Sequence, residues 1–242
     1  MEKVIGALWA APGENREEYG KRIHATLPPA LHAAGARKLR LNLRDAAIDP
    51  GEPLVQQWQD PQQAAVVQFW LPSANARFRA EIDQVLASHS AWFALWLVCE
   101  STIIANTAHP PLSGQRTWGW SQSSFISFRP DMTREAAIAH WHSHHTRIAI
   151  ETQANFEYVQ NLIVRPLTEG APSYDAFVEE CFPAEALTEP QVFFDAVGNP
   201  AKFDANLAAM MDSCHGFLDF SRGDIIPTSQ FDFAHLDGIS AN

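Results

Sequence analysis

The sequence predicts an α+β protein made of two βαββαβ units packed sheet to sheet. Three observations point there. The same order of apolar strands and amphipathic helices occurs twice, and a linker containing Pro and Gly separates the two runs. The strands of both runs are also too apolar to leave a sheet face in water.

In the first run, residues 4–10 form a continuous apolar strand. Asn15 then opens a helix, with Glu18 three positions on completing a capping box. Pro28 and Pro29 predict its end there, although Ala30, Leu31 and Ala33 keep helical spacing for a further turn before Gly35. Residues 38–43 alternate as a strand, and 65–70 form another after a loop rich in Pro and Gln. Phe78, Ile82, Val85 and Leu86 fall at helical spacing across residues 75–88. Residues 91–104, aromatic and β-branched, read as the fourth strand.

Residues 105–114 form the linker, carrying Pro110, Pro111 and Gly114. The second run then repeats the first: a strand at 123–129, a helix capped by Thr133 and running to about 154, strands at 157–165 and 176–181, a helix at 200–212, and a closing strand at 215–221. This element order is that of a ferredoxin-like unit, so the chain divides into repeats at 1–108 and 115–222 with a C-terminal extension at 223–242. Packed together, the two sheets imitate a dimer within one chain, a pseudo-dimeric α/β barrel.

The net charge of −11 is unevenly placed: residues 116–242 hold 17 of the 28 acidic groups but 7 of the 17 basic ones. Such a surface repels phosphate backbones and argues against a nucleic-acid partner. No uncharged run is long and apolar enough for a membrane span. Cys99, Cys181 and Cys214 form no CxxC pair, and residues 1–6 read as a strand and not a leader, so a cytoplasmic protein is expected. No nucleotide-binding or Ser-hydrolase motif occurs, and no cofactor is expected.

Chemistry concentrates on the helix after Thr133, where His140, His142, His144 and His145 lie close together. At about 100° per residue, Ala137, Ile138, Trp141 and Ile148 make an apolar stripe. His145 lies about 40° from its centre and His144 about 60°, while His140 and His142 sit about 100° away on opposite edges. A half-buried imidazole stays neutral and can accept a proton, so His145, with His144 next, is the candidate base; a core histidine satisfied by one carbonyl is the plain alternative. His140 and His144 at i and i+4 could share a metal ion, with His215 or Glu180 as a distant third ligand, but no HExxH motif is present and no metal is expected.

Trp141 followed by His145, the run Tyr158-Val159-Gln160-Asn161, and the strand Asp175-Ala176-Phe177-Val178-Glu179-Glu180-Cys181-Phe182 together resemble the EthD family over roughly residues 120–222. The resemblance implies a dimeric α/β barrel with a pocket between sheet and helices. Its members include cofactor-free isomerases, dehydratases, cyclases and monooxygenases acting on lactones, aromatics and polyketides. It implies His145 as general base or acid, Trp141 as a pocket wall, and Tyr158 and Asn161 as oxyanion or hydroxyl partners. The first half departs from the pattern, because Ile23 and Leu27 stand where Trp141 and His145 would be. His24 falls at an edge position, so a second pocket there stays open.

Strand alternation sends Glu179 and Glu180 to opposite faces, so one of them approaches the interior. Cys181 near the cleft is either a nucleophile or proton donor, or an inert core thiol. Strand alternation makes Trp118 and Trp120 share a face, where they could line an aromatic pocket. The expected function is cofactor-independent acid–base chemistry on a small molecule, as an isomerase, dehydratase, cyclase or lyase. The alternatives are a non-catalytic binding or stress-related protein, and a cofactor-free or haem-using monooxygenase. Pairing of two such chains into a homodimer is left open.

Overall fold

A computed structural model describes residues 1–238. The strands are β1 (Glu2–Trp9), β2 (Arg37–Leu43), β3 (Ala65–Leu71), β4 (Trp92–Ile104), β5 (Trp120–Ile126), β6 (Glu157–Pro166), β7 (Ala176–Phe182) and β8 (Asp224–Asp232). Among the described residues these eight close into one antiparallel barrel, in the order β1-β3-β2-β8-β5-β7-β6-β4. The α+β class and the barrel are found. The expected face-to-face stacking of two sheets is not, because edge strands pair directly: β2 with β8 and β4 with β6.

The helices are α1 (Arg16–Ala33), α2 (Ala76–His89), α3 (Arg134–His140), α4 (Thr146–Thr152), α5 (Pro190–Phe193) and α6 (Pro200–His215). Asn15 caps α1 by accepting the Glu18 N–H at 3.1 Å. That helix runs through Pro28 and Pro29 to Ala33, past the stop that the prolines predict. Leu27, Pro28 and Leu31 are buried together, and their packing carries the helix across the two missing donors.

Alternation along each strand sorts the side chains. Val4 and Leu8 of β1, Leu41 and Leu43 of β2, and Val67 and Phe69 of β3 point outward and pack with Tyr19, Ile23, Leu27 and Ile82 of α1 and α2. Ile5, Trp9, Trp96, Phe125 and Phe177 point inward and, with Tyr174, fill one end of the barrel. Toward the other end the interior is polar and centres on Glu179, which is fully buried. Its carboxylate accepts from Arg40 Nη1 at 2.9 Å, Asn42 Nδ2 at 2.6 Å, Gln68 Nε2 at 2.9 Å and Gln230 Nε2 at 2.9 Å. Burial pushes this carboxyl up, but Arg40 and the amide donors outweigh that and hold it below the ordinary carboxylate range.

The closing strand expected at 215–221 is not formed. The eighth strand is β8, within the segment read as the 223–242 extension, of which 239–242 lie outside the described residues. The strand expected at 123–129 is β5, which begins at Trp120. No helix among the described residues is long and apolar enough to cross a membrane.

Candidate active site

The outward faces of β5, β6 and β7 are covered by α3, α4 and α6, while β8 packs against Ala46–Leu54, and a cavity of about 190 Å³ remains beneath the helices. Trp141, His145, Tyr158, Glu180, Met210 and Phe217 are among its walls. Thr133 caps α3 by accepting the Ala136 N–H at 3.2 Å. Between α3 and α4 the chain makes a π turn, Trp141–His145, a local widening often found at functional sites. The Thr146 hydroxyl donates to the Trp141 carbonyl at 2.9 Å and helps satisfy that turn.

His145 Nδ1 is 3.0 Å from Ser213 Oγ on α6, and its ring packs on Phe217 at 4.9 Å. Burial lowers its pKa to about 4, with His140 and His144 pushing the same way, so the imidazole is neutral at pH 7. With Nδ1 committed to Ser213, Nε2 is the nitrogen left for a ligand. The Tyr158 hydroxyl oxygen accepts from Gln160 Nε2 at 2.7 Å and from Trp141 Nε1 at 3.4 Å. Burial and then Glu180 push this phenol well up, so it keeps its proton as a donor.

Glu180 accepts from Asn155 Nδ2 at 2.9 Å. Burial raises its pKa to about 7, and the Asn155 bond offsets only part of that. Its folded pKa thus lies above the ordinary glutamate value of 4.5, and the neutral acid is the form that the fold favours. The associated stability is fully present below about pH 4.5 and is lost as pH rises through 7, a cost of about 3 kcal/mol above neutrality. Glu180→Gln is therefore expected to melt close to the parent at pH 4.5 and above it by a widening margin toward pH 8.5. A margin that does not change with pH would remove Glu180 as a titrating group.

Other expected members lie elsewhere. Asn161 is three residues from Tyr158 and so faces the barrel interior, where neither side-chain polar atom has a partner among the described residues. Cys181 likewise points inward, its thiol 3.4 Å from Glu157; burial and then Glu157 raise its pKa and keep it inert. His144 does not border the cavity; its ring stands 5.0 Å from that of His140, whose Nε2 meets the Ser213 carbonyl at 3.1 Å. The π turn changes the register that a regular helix would have kept.

Trp118 is 46% exposed and stacks on His109 at 3.9 Å, whereas Trp120 is buried against Phe182 and Phe193. They do not share a face. Gly119, with φ of +80°, breaks the alternation, and a Cβ there would meet the Phe182 carbonyl oxygen at 2.1 Å. His24 bonds the Gly114 carbonyl at 3.2 Å beside a separate surface hollow of about 300 Å³. Among the described residues no three His, Cys, Asp or Glu side chains are grouped to hold a metal.

Ser213, Asn155 and the apolar face of α6 were not anticipated. Met210 and Phe217 flanking Ser213 at near-helical spacing were the available signal.

Residues 129–221 match the EthD domain family. No curated protein matches the chain in sequence. Among solved structures, one of an anthrone oxidase-like protein superposes with a TM-score of 0.57 at 10% identity, covering 100% of this chain and 96% of that one. Another, of a candidate monooxygenase from Lactobacillus acidophilus NCFM, gives a TM-score of 0.45 at 10% identity, covering 95% and 93%.

Proposed function

We propose, starting from the EthD match over residues 129–221, that this half of the barrel moves a proton on a small aromatic, lactone or polyketide-like molecule without a cofactor. What carries the reading is the convergence of three groups with different proton demands on one cavity: His145 neutral, Glu180 titrating near neutrality, and Tyr158 held protonated. A general base works best with a pKa near the operating pH, which makes Glu180 the group that takes the substrate proton. Tyr158 donates to the oxygen on which negative charge develops. His145 offers Nε2 as relay, its ring held by Ser213 and Phe217. Returning the proton to another carbon completes an isomerisation, and returning it to a departing hydroxyl completes a dehydration.

A second reading begins with the same abstraction. The apolar walls, including Met210, Phe217 and Val178, favour dissolved oxygen over water, and the structure that superposes at a TM-score of 0.57 is named as anthrone oxidase-like. A carbanion could then reduce oxygen, turning a methylene into a carbonyl with water as the other product and all electrons supplied by the substrate. Anthrone separates the two readings. Solvent-deuterium exchange at its methylene without oxygen uptake supports proton transfer alone, and stoichiometric oxygen uptake supports oxygenation. Neither response on anthrone or related phenols, with ligand still bound, would leave a binding protein.

The chain is also read as two fused units. The order β4-β1-β3-β2 in the first half matches β8-β5-β7-β6 in the second, strand for strand. In the first half Tyr19, Ile23 and Leu27 belong to the packed core under α1, which supports a single site in the second half.

A further inference from the structure

The cavity beside His145 is not closed. Gln56, Gln122, Phe193, Phe194 and Ile225 border it and also border a larger cleft of about 630 Å³. The far walls of that cleft are Pro50, Pro53 and Leu54 on one side and Ala186, Leu187 and Pro190 on the other. No Asp, Glu, Lys or Arg lines it.

The first wall is built, not draped. Residues Ala46–Leu54 form a 3-10 segment from the first half of the chain. Just beyond it, the Gln56 N–H donates to the Ile225 carbonyl at 3.0 Å and the Ile225 N–H returns the bond at 2.9 Å. Asp224 Oδ1 then accepts from the Trp58 N–H at 2.8 Å. Gly51 packs closely on Leu187, where a Cβ would lie 2.3 Å from its Cδ1, so the two walls meet in tight contact.

The two spaces differ in chemistry. The inner cavity carries Glu180, Tyr158 and His145, while the outer cleft offers prolines, Leu54, Leu187 and Phe193 and no charge. We propose that the ligand of this site is an amphiphile: a phenol- or enol-type head against Glu180 and Tyr158, and an aliphatic tail of several carbons lying in the outer cleft. This rests on the proton-transfer reading for the head and adds the tail, with Leu54 and Leu187 setting its length.

The test is a series of 4-alkylphenols from ethyl to nonyl, titrated into the full chain by calorimetry with unsubstituted phenol as the reference. Each methylene that enters the cleft is expected to tighten binding about 4-fold until the cleft is full. Leu54→Asp and Leu187→Asp flatten that slope while phenol itself binds as before, which also shows that the variants fold. Leu54 is 38% exposed and accepts the change at a surface, so one variant stands if the other unfolds.

A series with no dependence on chain length overturns the proposal, as does a slope that survives both substitutions. The two readings fail separately. Glu180→Gln abolishes the pH dependence of phenol binding if the head sits as described, whatever the slope. A chain-length slope with phenol binding indifferent to Glu180→Gln supports the tail and sinks the head.

Discussion

Replacing Glu179 with alanine is expected to lower the unfolding free energy by about 3–5 kcal/mol, the cost of removing one partner from a buried ion pair. The carboxylate is the common acceptor for Arg40, Asn42, Gln68 and Gln230, and Ser121 also donates to it at 3.2 Å. Its loss strands several donors in a space that water reaches poorly. Arg40 keeps Glu157 at 2.7 Å and Asp232 at 3.9 Å, so the damage falls mainly on the amides. The variant's urea midpoint against the parent's measures this, and a shift worth under about 1 kcal/mol would show that water repairs the gap. The pH direction follows from the same group. Its folded pKa is depressed, so its stabilisation is present above the unfolded value and is lost as pH falls through the folded one.

His145→Ala is expected to cut turnover by about 10²–10⁴, the range for losing a positioned acid–base group, while near-ultraviolet dichroism stays native. The side chain contacts Ser213 and Phe217 at a cavity edge and is no keystone of the core. Ser213→Ala keeps the imidazole but frees its ring, and should cost less. The readout is the deuterium-exchange or oxygen-uptake assay of the proposed reaction. Unchanged turnover in His145→Ala would leave Glu180 and Tyr158 as the working groups. The depressed imidazole also marks an acid limit: the stability tied to its neutral form is present above about pH 6.5 and is lost as pH falls toward 4.

Much of the fold was legible because outward-facing strand residues are apolar, in a continuous run in β1 and in alternation in β2. Val4 and Leu8, Leu41 and Leu43, and Val67 and Phe69 announce their strands. The misread strands, β5 and β8, carry polar or Pro residues on the outward face, Gln122 and Ser124 on β5 and Pro227 on β8. Their inward residues also serve the polar interior. β5 carries Ser121 and Ser123, and β8 carries Thr228 and Gln230, so hydrophobic periodicity fades where hydrogen bonding to Glu179 and its neighbours takes over. Pro227 in β8 adds to the concealment; it is tolerated because the ladder to β2 spans only Ser229 to Asp232.

Of the residues singled out in the sequence, His145, Trp141, Tyr158 and Glu180 border one cavity, and Asn161 and Cys181 do not. The parity rule that separates Glu179 from Glu180 also separates Tyr158 from Asn161 and Glu180 from Cys181, so those two placements were readable. The π turn was not, because no local sequence signal fixes where a helix takes an extra residue. Nor was the contribution of Leu54 and Gln56, which reach the second half through the Gln56–Ile225 pairing and the Gly51–Leu187 contact.

Closure has a final consequence. Each barrel strand among the described residues has a neighbour on both sides, all supplied by the same polypeptide. Folding should therefore be unimolecular, and the melting midpoint should stay constant over a hundredfold dilution. A shared genetic sequence for two sides of a ring also ends the requirement that both sides be alike. One side can harden into a scaffold while the other keeps an opening and the groups that work in it.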